Sequence, residues 1–380
     1  MHRQNRSKYQ YHLNKNYFLM KKTALFTIFW TLLIGPAIAQ DLNNTPIPGI
    51  DKESFRKEIQ LPDIPGYKTL KCDFHIHTVF SDGLVWPTVR ITEAWEEGLD
   101  AIAITDHLEY KPHGKYVKGD HNSSYEIARP LAEAKDLILV RGGEITRGMP
   151  PGHLNGLFLE DVNALDKEDP FDAIREVDRQ GGFIQWNHPG WKAQQPDTCI
   201  WMEMHQQLFE EGLIHGVEVF NHTEWYPVAL DWCLNKNLAV MGNSDIHKVT
   251  AHQYHLNDSH RPMTLVFAKE RTKESLKEAM FANRTVAWFD GKMAGPEKLL
   301  KALFKASLDI QQFKDSNKLK IKNIADMPFE LSAGSQFNFT IPALGEVYIT
   351  VPDKIEKVNI RNLYTQSTQC LTIDLKELTR

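Results

Sequence analysis

The sequence predicts an α/β protein built on a parallel sheet, open or closed into a barrel, with a small all-β appendage at its C-terminal end. Two observations point to the sheet. Short apolar runs alternate with helical stretches from residue 70 to about 290, and most of those runs are too short to be helices. Strand–helix alternation sustained over that length is the mark of parallel pairing with crossover helices. A third observation points to the appendage: over residues 320–380 the pattern turns to period two, as in Gln336-Phe337-Asn338-Phe339-Thr340 and Glu346-Val347-Tyr348-Ile349-Thr350.

Taken in order, strands are expected at 70–74, 101–105, 138–140 running on toward Glu144, 154–159, 182–186, 216–220, 238–241, 263–268 and 285–288. Helices are expected from Pro87 to near Gly98, at 125–137, and near 171–180, 203–211, 224–236 and 272–282. A Pro/Gly-rich lead-in occupies 40–69 and the barrel-like part 70–305. The β-rich part, 306–380, carries no motif that suggests chemistry.

The first forty residues are of another kind. Lys21-Lys22 precede an apolar stretch over 24–34, then a Gly-Pro break and Ala37-Ile38-Ala39. A basic start, a short apolar run and an A-x-A ending describe a signal peptide over 20–39, cleaved near Ala39, with 1–19 as an upstream extension. The apolar run falls short of the roughly 20 residues a spanning helix needs. The expectation is therefore export to the periplasm or medium with no stable membrane anchor.

Those forty residues hold six basic and no acidic side chains, so without them the 44 basic residues become 38 against 49 acidic, a net charge of −11. Long nucleic acid is bound through basic surface. The acidic body therefore favours a small substrate over a polymer. Cys72, Cys199, Cys233 and Cys370 show no C-x-x-C spacing, which argues against a thiolate metal site and for buried free thiols.

Chemistry gathers at the expected strand ends. Asp73-Phe74-His75-Ile76-His77 places two imidazoles on one face of a strand, and Ser81-Asp82-Gly83 adds a carboxylate after a tight turn. Ile102-Ala103-Ile104-Thr105-Asp106-His107 ends a buried strand in ionisable groups. Gly142-Gly143-Glu144 does the same, with His153 following in Gly152-His153-Leu154. Trp186-Asn187-His188-Pro189-Gly190 and Gly242-Asn243-Ser244-Asp245-Ile246-His247 close two more. Each phrase taken alone also fits a capped or core histidine, or a salt-bridged surface carboxylate. Their joint occurrence at one edge, where α/β folds place ligands, points to a metal site.

Six imidazoles and three carboxylates without a thiolate suit Mn²⁺, Zn²⁺ or Fe²⁺ and disfavour Ca²⁺ or Mg²⁺. Nine donors are too many for one ion and enough for two or three. Glu144 is the candidate bridge, since a carboxylate can span two cations and a neutral imidazole cannot. With three ions the cleft would be cationic despite its three carboxylates, and would attract an anion such as phosphate.

At these residues the chain resembles the PHP (polymerase and histidinol phosphatase) superfamily of metal-dependent phosphoesterases. The motifs are Asp73-Phe74-His75-Ile76-His77-Thr78 with Ser81-Asp82-Gly83, Thr105-Asp106-His107, Gly143-Glu144 with His153, Asn187-His188-Pro189, and Ser244-Asp245-Ile246-His247. The resemblance, over about 70–290, implies a distorted (β/α)7 barrel with three metals at its C-terminal face. It implies one metal on His75, His77, Glu144 and Asp245, a second on Glu144, His153 and His188, and a third on Asp82, His107 and His247. Some relatives carry a His where this chain has Asp82. The wider phrases His77–Pro87, Met149–His153 and His260–Ala268 resemble an exported bacterial branch acting on small organophosphate diesters.

The chemistry so implied is hydrolysis by a hydroxide bridging two metals beside Glu144. Asp82 and His247 would place a third metal near the leaving oxygen, with metal assistance and protonation both open. Arg147 and Arg261 are candidates to fork onto phosphate oxygens, with surface salt bridges as the plainer alternative. Trp86, Trp186, Trp191 and Trp225 are candidates to line the pocket for the organic group. The competing readings are a phosphomonoesterase or short-oligonucleotide exonuclease, an amide or ester hydrolase, and a non-catalytic metal-binding protein.

Overall fold

Runs such as Ala101–Ile104 and Phe183–Trp186 are buried at every position, which in a sheet means cover on both faces. The computed structural model describes residues 47–51, 53–334, 337–352 and 354–377. The expected signal peptide and its cleavage site lie outside them. Phe55–Arg380 form one compact unit. Among the described residues no helix is long and apolar enough to cross a membrane.

The elements run β1 (Lys68–Asp73), α1 (Pro87–Glu96), β2 (Ala101–Ile104), α2 (Ser123–Ala134), β3 (Ile138–Thr146) and β4 (His153–Leu157). Next come α3 (Pro170–Arg179), β5 (Phe183–Trp186), α4 (Glu203–Glu210), β6 (Gly216–Asn221), β7 (Glu224–Trp225), α5 (Pro227–Lys236) and β8 (Ala239–Asn243). The series continues with β9 (Met263–Ala268), α6 (Lys273–Phe281) and β10 (Thr285–Phe289). Local chemistry sets several boundaries. Proline opens α1, α3 and α5 at the first turn, where its missing N–H costs nothing. The Asp169 carboxylate accepts from the Phe171 amide at 2.7 Å to cap α3, and Asn237 in a left-handed conformation ends α5.

The sheet is mixed rather than wholly parallel. Strands β1, β2 and β3 pair in parallel, as do β5, β6 and β8. Strand β4 runs antiparallel to both β3 and β5, because the link 147–152 is too short for a crossover. Strands β9 and β10 continue antiparallel from β1.

Between β8 and its neighbours β9 and β10 no ladder is present among the described residues. Threonine hydroxyls stand in for it: the amides of Val240 and Gly242 donate to Thr285 Oγ1 at 2.9 Å and Thr264 Oγ1 at 3.0 Å. Gly242 permits this approach, since a Cβ there would lie 2.8 Å from that of Ala287.

The C-terminal part begins earlier than its period-two signal. It comprises β11 (Lys292–Ala294), α7 (Glu297–Ala306), β12 (Leu308–Gln312), β13 (Lys318–Asn323), β14 (Phe329–Ala333), β15 (Phe337–Ile341), β16 (Glu346–Thr350), β17 (Lys357–Gln366) and β18 (Gln369–Asp374). Parallel pairing of β11 with β17 carries the main sheet into these strands, while β12, β13 and β16 form a separate sheet. Helix α7 buries Leu299, Leu300, Leu303 and Phe304, and Phe304 meets Phe329 edge-on at 5.0 Å. The core is thus continuous across residue 306. The four cysteines are free, with Cys72 and Cys233 buried and Cys199 and Cys370 partly so.

Two histidines outside the strand-end motifs, His205 buried and His260 half-buried, set a pH dependence of stability. The His205 ring stacks on Trp186 at 3.7 Å and its Nε2 donates to the Pro151 carbonyl at 2.8 Å. His260 lies 3.9 Å from the Trp288 ring. Burial lowers each from 6.5 to about 4. The unfolded chain therefore takes up these protons before the folded one does. Their contribution is complete above about pH 6.5 and is lost as pH falls toward 4. Chemical denaturation at pH 7.5 and 5.0 should show a loss of about 2 kcal/mol for each ring, from ~1.4 kcal/mol per pH unit. A His205→Gln variant should lose its share of that slope; an unchanged slope would contradict this account.

Candidate metal centre

Beyond Asp73 the chain stays extended, and this places the first motif. Ile76 bridges Ile246 in parallel, and the Thr105 amide donates to the Ile76 carbonyl at 2.9 Å. Residues 74–77 therefore lie between the C-terminal ends of β2 and β8. His107 bridges Glu144 in the same way. His153 arrives from the opposite direction, at the start of antiparallel β4, where it pairs with Thr146.

All nine sequence-predicted donors are brought together. They fall into four overlapping groups, in each of which one donor atom per residue lies within 4.8 Å of the others: His75, His77 and Asp245; His75, Glu144 and His188; His107, Glu144 and His153; and His77, Asp82, His107 and His247. Glu144 sits at the centre. Its Oε1 is 3.3 Å from His75 Nε2, 3.2 Å from His153 Nδ1 and 3.7 Å from His188 Nε2. Its Oε2 is 2.6 Å from His107 Nδ1 and 3.6 Å from His77 Nε2. Asp245 Oδ1 lies 3.0 Å from His77 Nε2 and 3.2 Å from His75 Nε2, and Asp82 Oδ1 lies 3.2 Å from His247 Nε2.

Close as they are, several of these atoms are buried without an aligned hydrogen bond: His75 Nε2, His77 Nε2, Glu144 Oε2, His153 Nδ1 and His188 Nδ1. Buried polar atoms are normally satisfied, and a cluster of orphans facing one another fits cations among them. The electrostatics agree. Burial opposes charge on Glu144 and Asp245, yet the surrounding imidazoles hold both carboxyls well below their usual range. Burial also opposes charge on His107, but Glu144 and Asp82 outweigh it and raise that ring to about 10. His77 goes the other way, to about 3, pressed by burial and by His247 and His107. Protons on some rings thus balance the carboxylates, a task divalent cations would take over.

A supporting layer holds the donors in place. The buried Glu218 accepts from His75 Nδ1 at 2.9 Å, from the His188 amide at 2.7 Å and from Asn243 Nδ2 at 3.0 Å. An ionised carboxylate in this position can only accept, so His75 carries a proton on Nδ1, which leaves Nε2 as the atom a cation would take. Asn187 Nδ2 donates to Glu144 Oε1 at 2.8 Å. The motif carboxylates Asp73 and Asp106 bind protein instead. Asp106 accepts from the Thr78 amide at 2.6 Å and from Ser81 Oγ at 2.7 Å, fixing the loop that carries Asp82. In that loop Gly83 passes so near His77 that a Cβ would lie 2.6 Å from its carbonyl carbon.

Sequence reasoning missed Glu218, although a charged residue within Val217-Glu218-Val219, in a strand buried at every position, was a readable signal. It could not foresee that His188 and Asp245 would adopt left-handed backbone, φ 27° and 49°.

The two arginines require correction as phosphate ligands. Arg261 is fully buried: Nε and one terminal nitrogen fork onto Glu97 at 2.8 and 2.6 Å, and the other reaches Asp73 at 3.1 Å. It ties α1 to the end of β1. Arg147 pairs with Glu109 at 2.9 Å and donates to the Lys167 and Glu168 carbonyls, away from the cleft. That cleft is a cavity of about 310 Å³, walled by six of the nine donors together with Trp191, Asn221, His222, Thr223 and Glu224. Of the four candidate tryptophans only Trp191 lines it; Trp186 is buried and Trp86 lies against Phe80.

No family model matches the sequence. A crystal structure of a two-domain protein from Bacteroides vulgatus, containing a predicted PHP-like metal-dependent phosphoesterase, matches at TM-score 0.82 and 42% identity, covering 85% of this chain and 99% of that one. A protein proposed to be a metal-dependent phosphoesterase from Bifidobacterium adolescentis matches at TM-score 0.36 and 17% identity, over 46% of this chain and 87% of that one. An uncharacterized protein of Methanocaldococcus jannaschii is 33% identical over 82 residues, 22% of this chain and 36% of its own length. The chain thus spans about a third of that curated relative. Membership rests on the Bacteroides match, close in sequence and nearly complete in coverage: this chain belongs to the PHP-like metal-dependent phosphoesterases.

Proposed function

We propose that the protein hydrolyses phosphoesters, best of all small organophosphate diesters, with two or three divalent transition-metal ions as cofactor. Water would be added across one P–O bond to give a monoester and an alcohol. The observation that carries this reading is the knot of orphaned buried atoms around Glu144. His75, His77, Glu144 and Asp245 would hold one ion, Glu144, His153 and His188 a second, and Asp82, His107 and His247 a third. Divalent ions at such a site polarise phosphoryl oxygens and make water nucleophilic near neutral pH. The same reading takes the sheet as the family's distorted (β/α)7 barrel. It also takes the leader as a signal peptide, which would place the enzyme in the periplasm or medium.

The chain's own residues supply orientation. Glu218 and Asn187 fix the two central donors, His75 and Glu144. His247 donates through Nδ1 to the Asp245 carbonyl at 2.7 Å, which aims its Nε2 at Asp82. Asp82 and His247 both face the cavity, where a departing alkoxide needs a proton or a positive charge.

Replacing Glu144 with Gln should abolish turnover and leave one bound ion or none by elemental analysis; full metal content in that variant would remove the bridging role. Chelated protein should be inactive and should recover with Mn²⁺, Zn²⁺ or Fe²⁺. The recovered enzyme should cleave bis(p-nitrophenyl) phosphate faster than p-nitrophenyl phosphate, and the reverse order would favour a phosphomonoesterase. Glu218→Gln should weaken metal affinity about 10–100-fold while leaving the fold intact by circular dichroism.

A further inference from the structure

The hairpin side of the cavity, next to the donor cluster, has its own chemistry. Strands β6 and β7 form a tight hairpin, with Asn221 opposite Glu224 and Phe220 opposite Trp225. Side chains alternate across a strand, so Glu224 and Trp225 face opposite ways. Trp225 packs outward on Phe289 at 5.1 Å and on Tyr364 of β17 at 5.7 Å. Glu224 lines the cavity.

Glu224 is only half used. Its Oε2 accepts from the Tyr226 hydroxyl at 2.7 Å. Among the described residues nothing donates to its Oε1, and no Lys or Arg pairs with it. The Tyr226 ring packs so close to Gly190 that a Cβ there would lie 2.7 Å from it, which sets Trp191 on the same wall. Trp191 is 40% exposed, and its ring lies 5.3 Å from His188 and 5.8 Å from His153. Among the described residues no Lys or Arg lines the cavity.

We propose that this Glu224–Trp191 wall selects phosphoesters whose organic arm carries a positive charge, a primary or quaternary ammonium a few bonds from the phosphorus. A carboxylate and an exposed indole lining one cavity can together recognise an organic cation, by ion pairing and by attraction to the ring face. The cavity is then of mixed polarity, a donor cluster that would bind the phosphate and, bordering it, a half-used carboxylate and an exposed indole. A zwitterionic diester fits that polarity, and an arm bearing a second anion does not. Turnover of such a substrate rests on the phosphodiesterase reading; recognition of the arm does not.

The test uses metal-loaded full-length protein and two diesters of equal shape, p-nitrophenyl phosphorylcholine and its carbon isostere p-nitrophenyl 3,3-dimethylbutyl phosphate. Wild type should favour the cationic ester by about tenfold in kcat/KM, mostly through KM, the scale of one ion pair or cation–π contact at a half-buried site. In Glu224→Gln that ratio should fall toward one, and Trp191→Leu should lower it in part. Calorimetric binding of phosphorylcholine against 3,3-dimethylbutyl phosphate should give the same preference without any turnover. Equal affinities, or a preference that survives Glu224→Gln, would overturn the assignment. So would a stronger preference for a glycerol arm, which would make the wall a hydroxyl site. If the binding preference holds while no phosphoester is turned over, the assignment of the wall stands and the hydrolase reading fails.

Discussion

Three carboxylates and six imidazoles meet at one end of a sheet, most of them out of reach of water, and this juxtaposition constrains the rest of the molecule. Burying a charge is costly unless it is paired, and the pairing seen here is imperfect in alignment although close in distance. Glu144 makes the point. It is fully buried, it has five imidazoles around it, and one of its oxygens still lacks an aligned donor. Such a group is best satisfied by cations held between the rings. The fold can thus be understood as a frame that brings six segments to one edge and keeps them from relaxing apart.

The frame works through a few buried polar contacts. Glu218 joins β6 to the His75 ring and to the His188 amide. Asp73 holds the Ser244 amide at 3.1 Å and is itself held by Arg261, which also grips Glu97. Burial opposes charge on Asp73 and raises its carboxyl above its usual range despite that arginine, as expected for a wholly enclosed acid. These contacts tie the ends of β1, β8 and α1 together behind the donors. An arginine near a phosphoesterase motif invites assignment to phosphate, but here its geometry is spent on the scaffold.

Much of this was legible in the sequence. Eight of the nine candidate donors were readable because they sit at or near the end of an apolar run of strand length, Asp82 because it follows the first such run after a turn, and period-two alternation told which residues share a face. The helix opened by Pro87 was readable from its proline. What was hidden depended on direction and distance. Whether β4 would run parallel or antiparallel turned on the short link 147–152, and so did the end from which His153 approaches. The roles of Asp73 and Asp106 could not be separated from those of the carboxylates that join the cluster, since both kinds occupy strand ends. Helix α7 was overlooked although Leu299, Leu300, Leu303 and Phe304 recur at helical spacing. The closing of β8 onto threonine hydroxyls leaves no periodic trace at all.

The contact of Tyr364 with Trp225 bears on how this architecture can vary. The hairpin that walls the cleft leans on a residue from the C-terminal strands, and those strands share a ladder with the main sheet through β11 and β17. The C-terminal part of the chain is therefore not a passenger that evolution can exchange or discard at will. Lengthening or trimming a loop there would tilt the buttress and reshape the mouth, so new substrate preferences in this lineage can arise far from any residue that touches the ester.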